Sequence, residues 1–221
     1  MSRLLKILTL GLIIGGCAGM IFWYQSSQPE QQGYQIIYLN GPSSAGKSTL
    51  ARALQAKLQK PFLAIGIDQM IFMMPEKLND WHGDSIVPGF SWQPVKDEEG
   101  TIIASKIYVG PFGKRMISAL KDVVVTLAQA GHNVIIDDVA FGKEQVDAWR
   151  TALKPFKVLW LGVVAPVEVI EAREKARGDR KLGTARWQAE HVHVGVDYDR
   201  MINTHEQSTD ENMAIISKYI E

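Results

Sequence analysis

The segment Gly41-Pro42-Ser43-Ser44-Ala45-Gly46-Lys47-Ser48 constrains this chain more than any other. It satisfies the spacing G-x-x-x-x-G-K-[ST], with an apolar run, Gln35 to Leu39, before it and an amphipathic stretch, Lys47 to about Leu58, after it. A strand, a glycine-rich turn and a helix in that order make a phosphate cradle. Gly41 and Gly46 let successive N–H groups turn inward, and the helix N-terminus adds its positive end. Lys47 is placed to reach the outer phosphates, and the Ser48 hydroxyl to ligate Mg²⁺. The cradle as a whole is Gly41, Pro42, Ser43, Ser44, Ala45, Gly46, Lys47, Ser48 and Thr49, and its ligand chemistry is that of ATP with Mg²⁺.

Such a cradle requires a parallel sheet, and the rest of the chain alternates accordingly. Apolar runs at Phe62–Ile65, Asn133–Ile136 and Val158–Val164 read as strands. Longer amphipathic runs at Phe112–Ala130, Lys143–Leu153, Pro166–Arg177 and Asp210–Tyr219 read as helices. The fold class is α/β, a three-layer P-loop NTPase with helices on both faces of a parallel sheet. Between Pro75 and Gly110 the periodicity fails, which predicts an irregular insertion over one end of the sheet.

The N-terminus is of a different character. Arg3 and Lys6 precede an apolar run from Ile7 to Tyr24, and about 18 such residues is near the lower limit for spanning a bilayer. Residues 1–24 therefore read as an N-terminal hydrophobic helix, a signal anchor with Phe22, Trp23 and Tyr24 at its interface end. Ile14-Gly15-Gly16-Cys17 also resembles a lipobox, and a start at Met20 would leave a cytoplasmic protein. Residues 25–33 form a polar linker, and residues 34–221 a single kinase domain. Arg3 and Lys6 lie before the span and the flank Gln25 to Gly33 has no basic residue, so the positive-inside rule puts the domain on the side poor in ATP, and sidedness stays open. The chain carries 24 basic and 24 acidic residues. It therefore has no overall field for nucleic acid, and none is expected as a partner. With 46% hydrophobic residues and one cysteine, the fold rests on packing rather than on disulfides.

Three further groups carry candidate chemistry. Asn133-Val134-Ile135-Ile136-Asp137-Asp138 is an apolar strand ending in two carboxylates, as a Walker B strand does, and either Asp137 or Asp138 is placed to serve Mg²⁺. Asp68 follows the second strand at the same edge. It reads either as the base that takes the proton of an acceptor hydroxyl or as the N-cap of a helix running Gln69 to Met74. Arg173 and Arg177 share one helix face, and with Arg180 they either neutralise a transferring phosphoryl group from a lid hinged at Gly178 or form a solvated face paired with Glu171, Glu174 and Asp179. His191 and His193, two apart, suit loop packing better than a metal site. Trp81, Phe90, Trp92 and the run Phe72-Met73-Met74 read either as an apolar substrate pocket or as core.

Taken in order, Leu39 to Ser48, Pro61 to Asp68 with Met74-Pro75, Ala130 to Val139, Ala176 to Arg180 and Val192 to Asp199 resemble the chloramphenicol phosphotransferase family across nearly all of Tyr34 to Glu221. The resemblance implies a nucleotide-kinase-like fold and ATP-dependent phosphorylation of a hydroxyl on a small molecule. It makes Asp68 the base, and Arg177 and Arg180 contacts to phosphate or nucleotide, joining Lys47 as the catalytic set. The stretch from Glu76 to Gly110, where an acceptor would bind, departs from the family pattern. A nucleotide or metabolite kinase, or a membrane-tethered module that hydrolyses ATP without an acceptor, are the competing readings.

Overall fold

A computed structural model describes residues 33–178 and 181–220. The expected hydrophobic helix over 1–24, nearly all of the linker, and Arg180 lie outside the described residues. Among the described residues no helix is long and apolar enough to cross a membrane.

Five strands, β1 (Ile36–Asn40), β2 (Phe62–Gly66), β5 (Asn133–Asp138), β6 (Val158–Val164) and β7 (Arg200–Asn203), form one parallel sheet in the order β2-β5-β1-β6-β7. Every residue of β1 is buried, as expected of a central strand covered on both faces. Alternation divides its side chains between two cores. Ile37 and Leu39 pack with Leu50 and Leu54 of α1 (Lys47–Lys57) and with Met213 and Ile216 of α7 (Thr209–Ile220). Ile36 and Tyr38 pack on the other face with Leu120 and Val124 of α3 (Pro111–Gln129) and Trp149 of α4 (Gly142–Ala152). The expected three layers are therefore present, because a buried parallel strand needs an apolar cover on each side. The chain leaves β1 toward β2 on one side and crosses to β6 on the other. The cradle thus sits at the point where the strand order reverses, above the C-terminal strand ends.

The segment expected to be irregular contains a hairpin. β3 (Phe90–Lys96) and β4 (Ile102–Val109) pair antiparallel, Phe90 against Val109 and Trp92 against Ile107. Asp97 closes the turn, its backbone oxygen accepting from Gly100 N–H at 3.1 Å and its carboxylate from Thr101 N–H at 2.7 Å. Pro94 hides this strand from a periodicity reading. A two-stranded sheet has only edges, where a residue without an N–H is tolerated. Helix α6 (Thr184–His191) and β7 also go beyond the sequence reading. Both are short and largely polar, and tertiary contacts hold them. Glu174 of α5 (Val167–Arg177), 1% exposed, accepts from the Gly183 and Ala185 N–H groups at 2.8 Å each, fastening the start of α6.

Helix α2 (Ile67–Phe72) begins directly after β2, two residues earlier than the sequence suggested. Its N-cap is Gly66, whose N–H donates to Gln69 Oε1 at 2.8 Å. Asp68 is therefore not the cap but an acidic residue inside the first turn, a position that the helix dipole favours. The abrupt passage from strand to helix needs glycine at 66, where a Cβ would drive into the backbone carbonyl of Asp137 on the neighbouring strand. Replacing Gly66 by alanine is expected to cost about 1–3 kcal/mol through overpacking. Thermal unfolding should show a fall of roughly 3–10 °C in Tm; an unchanged Tm would remove this account of the β2–α2 junction.

Candidate active site

The loop between β1 and α1 is shaped by two left-handed residues, Ser44 at φ 63° and Gly46 at φ 95°. Serine occupies that region at a cost, and strain of this kind collects where a backbone is held for function. No side chain caps α1 and its first turn has no acidic residue, so the positive helix end is left open toward the cleft. The Ser44 hydroxyl is buried without a hydrogen-bond partner. A positive helix end and an orphaned hydroxyl together fit an anionic phosphate chain.

The Lys47 side chain, 6% exposed, folds over the loop, donating to the carbonyls of Gly41 and Pro42 at 2.9 Å each, and lies 3.8 Å from Asp137 Oδ1. Ser48 Oγ donates to Asp137 Oδ2 at 2.6 Å. This contact separates the two carboxylates that the sequence left equivalent. Strand alternation places Asp137 on the α1 side of the sheet and Asp138 on the α3–α4 side. Asp138 is 8% exposed; it accepts from Tyr38 OH at 2.7 Å, Trp149 Nε1–H at 2.6 Å and Val139 N–H at 2.9 Å. Burial pushes its carboxyl above the ordinary range despite those donors and the nearby Lys121, and burial next to Asp138 raises the Tyr38 hydroxyl well above its own. With both oxygens engaged in the core, Asp138 is a strut beneath the site, and the Ser48–Asp137 pair is the oxygen donor set that faces the cradle.

The arginine helix α5 reaches the cradle from the opposite side. Arg173 donates to the Ser44 carbonyl at 3.3 Å and to Thr204 Oγ1 at 3.1 Å. Thr204 in turn donates to the Ala45 carbonyl at 2.6 Å. Arg177, one turn on, is exposed and lines the same cleft. The solvated-face reading, in which these arginines pair with Glu171 and Glu174, is not met: Glu171 pairs with Arg186 at 2.6 Å, Arg173 bonds to the loop, and Glu174 is buried. Gln188 of α6 accepts from Ser43 N–H at 2.6 Å. Neither Gln188 nor Thr204 is legible as a site residue in the sequence, since each lies far from the loop along the chain and carries no motif.

All these groups open on one cleft of about 1420 Å³, with Asp68 exposed on its wall beyond the cradle. Trp81 and Phe90, stacked at 6.2 Å, line it, whereas Trp92 packs into the hairpin core. The run Phe72-Met73-Met74 does not line it: Phe72 and Met73 face solvent and Met74 is buried. His191 stacks on Trp187 at 4.2 Å, and His193 Nδ1 meets Tyr198 OH at 3.0 Å. Among the described residues no group of three or more His, Cys, Asp or Glu side chains is placed to hold a metal ion. A magnesium ion that accompanies phosphates needs only one or two protein oxygens, so Ser48 and Asp137 fit it.

A parallel sheet wound in this order around a G-x-x-x-x-G-K-S cradle defines the chain as a P-loop protein of the nucleoside-triphosphate-binding class. More narrowly, it belongs to the chloramphenicol phosphotransferase-like family, whose model matches residues 34–221. A Mycobacterium tuberculosis protein named "Putative O-phosphotransferase", found in two strains, is 31% identical over 172 residues, covering 77% of this chain and 75% of its own length. Among solved structures, a sugar kinase from Janibacter sp. HTCC2649 is similar with a TM-score of 0.56 and 15% identity, covering 84% of this chain and 94% of its own. The Mycobacterium tuberculosis APS kinase in complex with AMPPNP and APS is similar with a TM-score of 0.56 and 14% identity, covering 84% of this chain and 96% of its own. At such identities these two likenesses concern the fold.

The buried strut has a measurable pH signature. A carboxyl whose folded pKa is raised favours folding while protonated, and that advantage is lost as pH rises from the unfolded value of 3.8 through the folded one. The stability lead of the native chain over Asp138→Asn should therefore be larger at pH 4 than at pH 7. Denaturant titrations at both values check this, and a lead that widens with pH would contradict the assignment.

Proposed function

We propose that this chain transfers the γ-phosphoryl group of ATP to a hydroxyl of a small molecule, with Asp68 as base. The observation that carries the reading is that the Asp68 carboxylate and the Ser48–Asp137 pair line the same cavity as the phosphate loop. A phosphate-binding site alone would serve hydrolysis; a second carboxylate set beyond it suits an acceptor hydroxyl.

In this reading the loop amides, the α1 N-terminus and Lys47 hold the phosphate chain, Lys47 exchanging the Gly41 and Pro42 carbonyls for phosphate oxygens. Ser48 and Asp137 would hold Mg²⁺, which would supply neutralisation of the phosphate charge. Asp68 orients the acceptor hydroxyl and takes its proton as the new oxygen–phosphorus bond forms and the bond to the β-phosphate oxygen breaks. Arg173 keeps the loop in shape through the Ser44 carbonyl and Thr204. Arg177 and Arg180 are assigned to the charge that gathers on the transferring group. The acceptor class extends beyond chloramphenicol, since nucleotide and metabolite kinases share this machinery and differ in the acceptor half of the cleft.

Asp68→Asn should lower kcat by about 10²–10⁴, the usual worth of a positioned base, while nucleotide affinity stays within about twofold. The full chain, assayed with Mg-ATP against chloramphenicol and a panel of hydroxylated metabolites by mass spectrometry, supplies the test. Undiminished transfer by the variant would end the assignment of Asp68. ATP turnover indifferent to every acceptor would favour the hydrolytic module instead.

A further inference from the structure

The two halves of the cleft differ in what their cations are doing. At the nucleotide end Lys47 and Arg173 are tied to loop carbonyls. At the other end α3 presents Lys114, Ile117 and Lys121 to the cavity. Positions 114, 117 and 121 fall on one helix face, with the lysines two turns and about 10 Å apart along the axis. The same cavity has an apolar lining that includes Phe90, Ile107 and Val109 of the hairpin and Trp81 from the segment before it.

Neither lysine has an ion-pair partner among the described residues. Lys114 is exposed to the cleft, and Lys121 is half-buried with its ammonium 5.0 Å from the centre of the Trp149 ring. The three carboxylates lining the cavity do not satisfy them. Asp137 is engaged by Ser48 and Lys47, and Asp138 by Tyr38, Trp149 and the Val139 amide, with Lys121 felt only through space. Asp68 is the remaining one, and the reaction needs its lone pairs for the acceptor hydroxyl. The end of α3 itself is not the binding group, because the Phe112 and Gly113 amides already donate to the Pro88 carbonyl at 2.8 and 3.2 Å. A neutral acceptor seated here would strip water from two ammonium groups and return nothing for it.

Resting on the phosphotransferase reading above, we propose that the physiological acceptor is an anion: an apolar, ring-sized body that packs on the hairpin wall, a hydroxyl directed at Asp68, and a carboxylate or phosphate held by Lys114 and Lys121. A neutral aromatic alcohol would fill the apolar part of this pocket and leave its charges unused. Lys114 and Lys121 thereby become specificity residues for the acceptor, with no part in holding the nucleotide.

Three matched probes test this with the full chain and Mg-ATP: 4-(hydroxymethyl)benzoate, 4-(hydroxymethyl)phenyl phosphate and the neutral 4-(hydroxymethyl)benzamide. Removing a charge-assisted contact is worth enough that kcat/KM for at least one anionic probe should exceed the amide's by about tenfold or more. Which anion leads tells carboxylate from phosphate. In the Lys114→Gln/Lys121→Gln double variant that ratio should collapse toward one, and Lys114→Arg/Lys121→Arg should restore it. Saturation-transfer NMR with MgADP present reads the same ratios as binding, independently of transfer. An amide used as well as the anions, or a ratio that survives the glutamine variant, overturns the anion subsite while leaving Asp68-dependent phosphotransfer standing. Anion-selective, lysine-dependent binding without transfer to any probe supports the subsite and counts against the phosphotransfer reading. Absence of selective binding overturns the subsite.

Discussion

The hydrogen bond from Ser48 to Asp137 is the tie on which the candidate site depends. It joins the first turn of α1 to the C-terminal end of β5, two elements far apart along the chain, and β1, which leads into α1, is the neighbour of β5 in the sheet. The register of β1 against β5, Leu39 beside Asp137 and Asn40 beside Asp138, sets the height at which this tie can form. A slip by one residue would exchange the two carboxylates, placing the core strut under the cradle and burying the cradle's partner.

The same alternation explains why two adjacent aspartates have unlike fates. Asp137 emerges where α1 begins and stays partly open; Asp138 enters the core, where Tyr38 and Trp149 supply donors to offset part of its desolvation. Trp149 is shared further, since its ring faces the Lys121 ammonium. Lys121 on the cleft wall and Tyr38 of the central strand are thereby connected through Trp149 and one buried carboxylate. Glu174 plays a comparable part on the opposite side, where its two oxygens fasten α6 and so bring Gln188 to the loop.

Much of the sheet was readable from apolar runs, and β6 was read with its observed bounds because it is apolar throughout and buried on most of its length. The cradle was readable because its motif encodes backbone shape locally. The hairpin was not, since Pro94 and a half-exposed two-stranded sheet give no clean alternation. Nor were α6 and β7, whose few residues hold their form through Glu174 and through pairing with β6. Asp68 was legible as a residue at the crevice but not as part of the first turn of α2, because Gln69, not Asp68, supplies the side chain that meets Gly66.

By itself the sequence determined the phosphate loop and the parallel α/β architecture, which rest on local spacing and on the alternation of apolar runs, and a family, which rests on the resemblance of ordered blocks. Which carboxylate faces the cradle, which arginine braces the loop, and which lysines line the cleft were decided only by the tertiary structure. Those choices turn on strand register and on the packing of helices distant in the chain, where a difference of one residue moves a side chain from cleft to core.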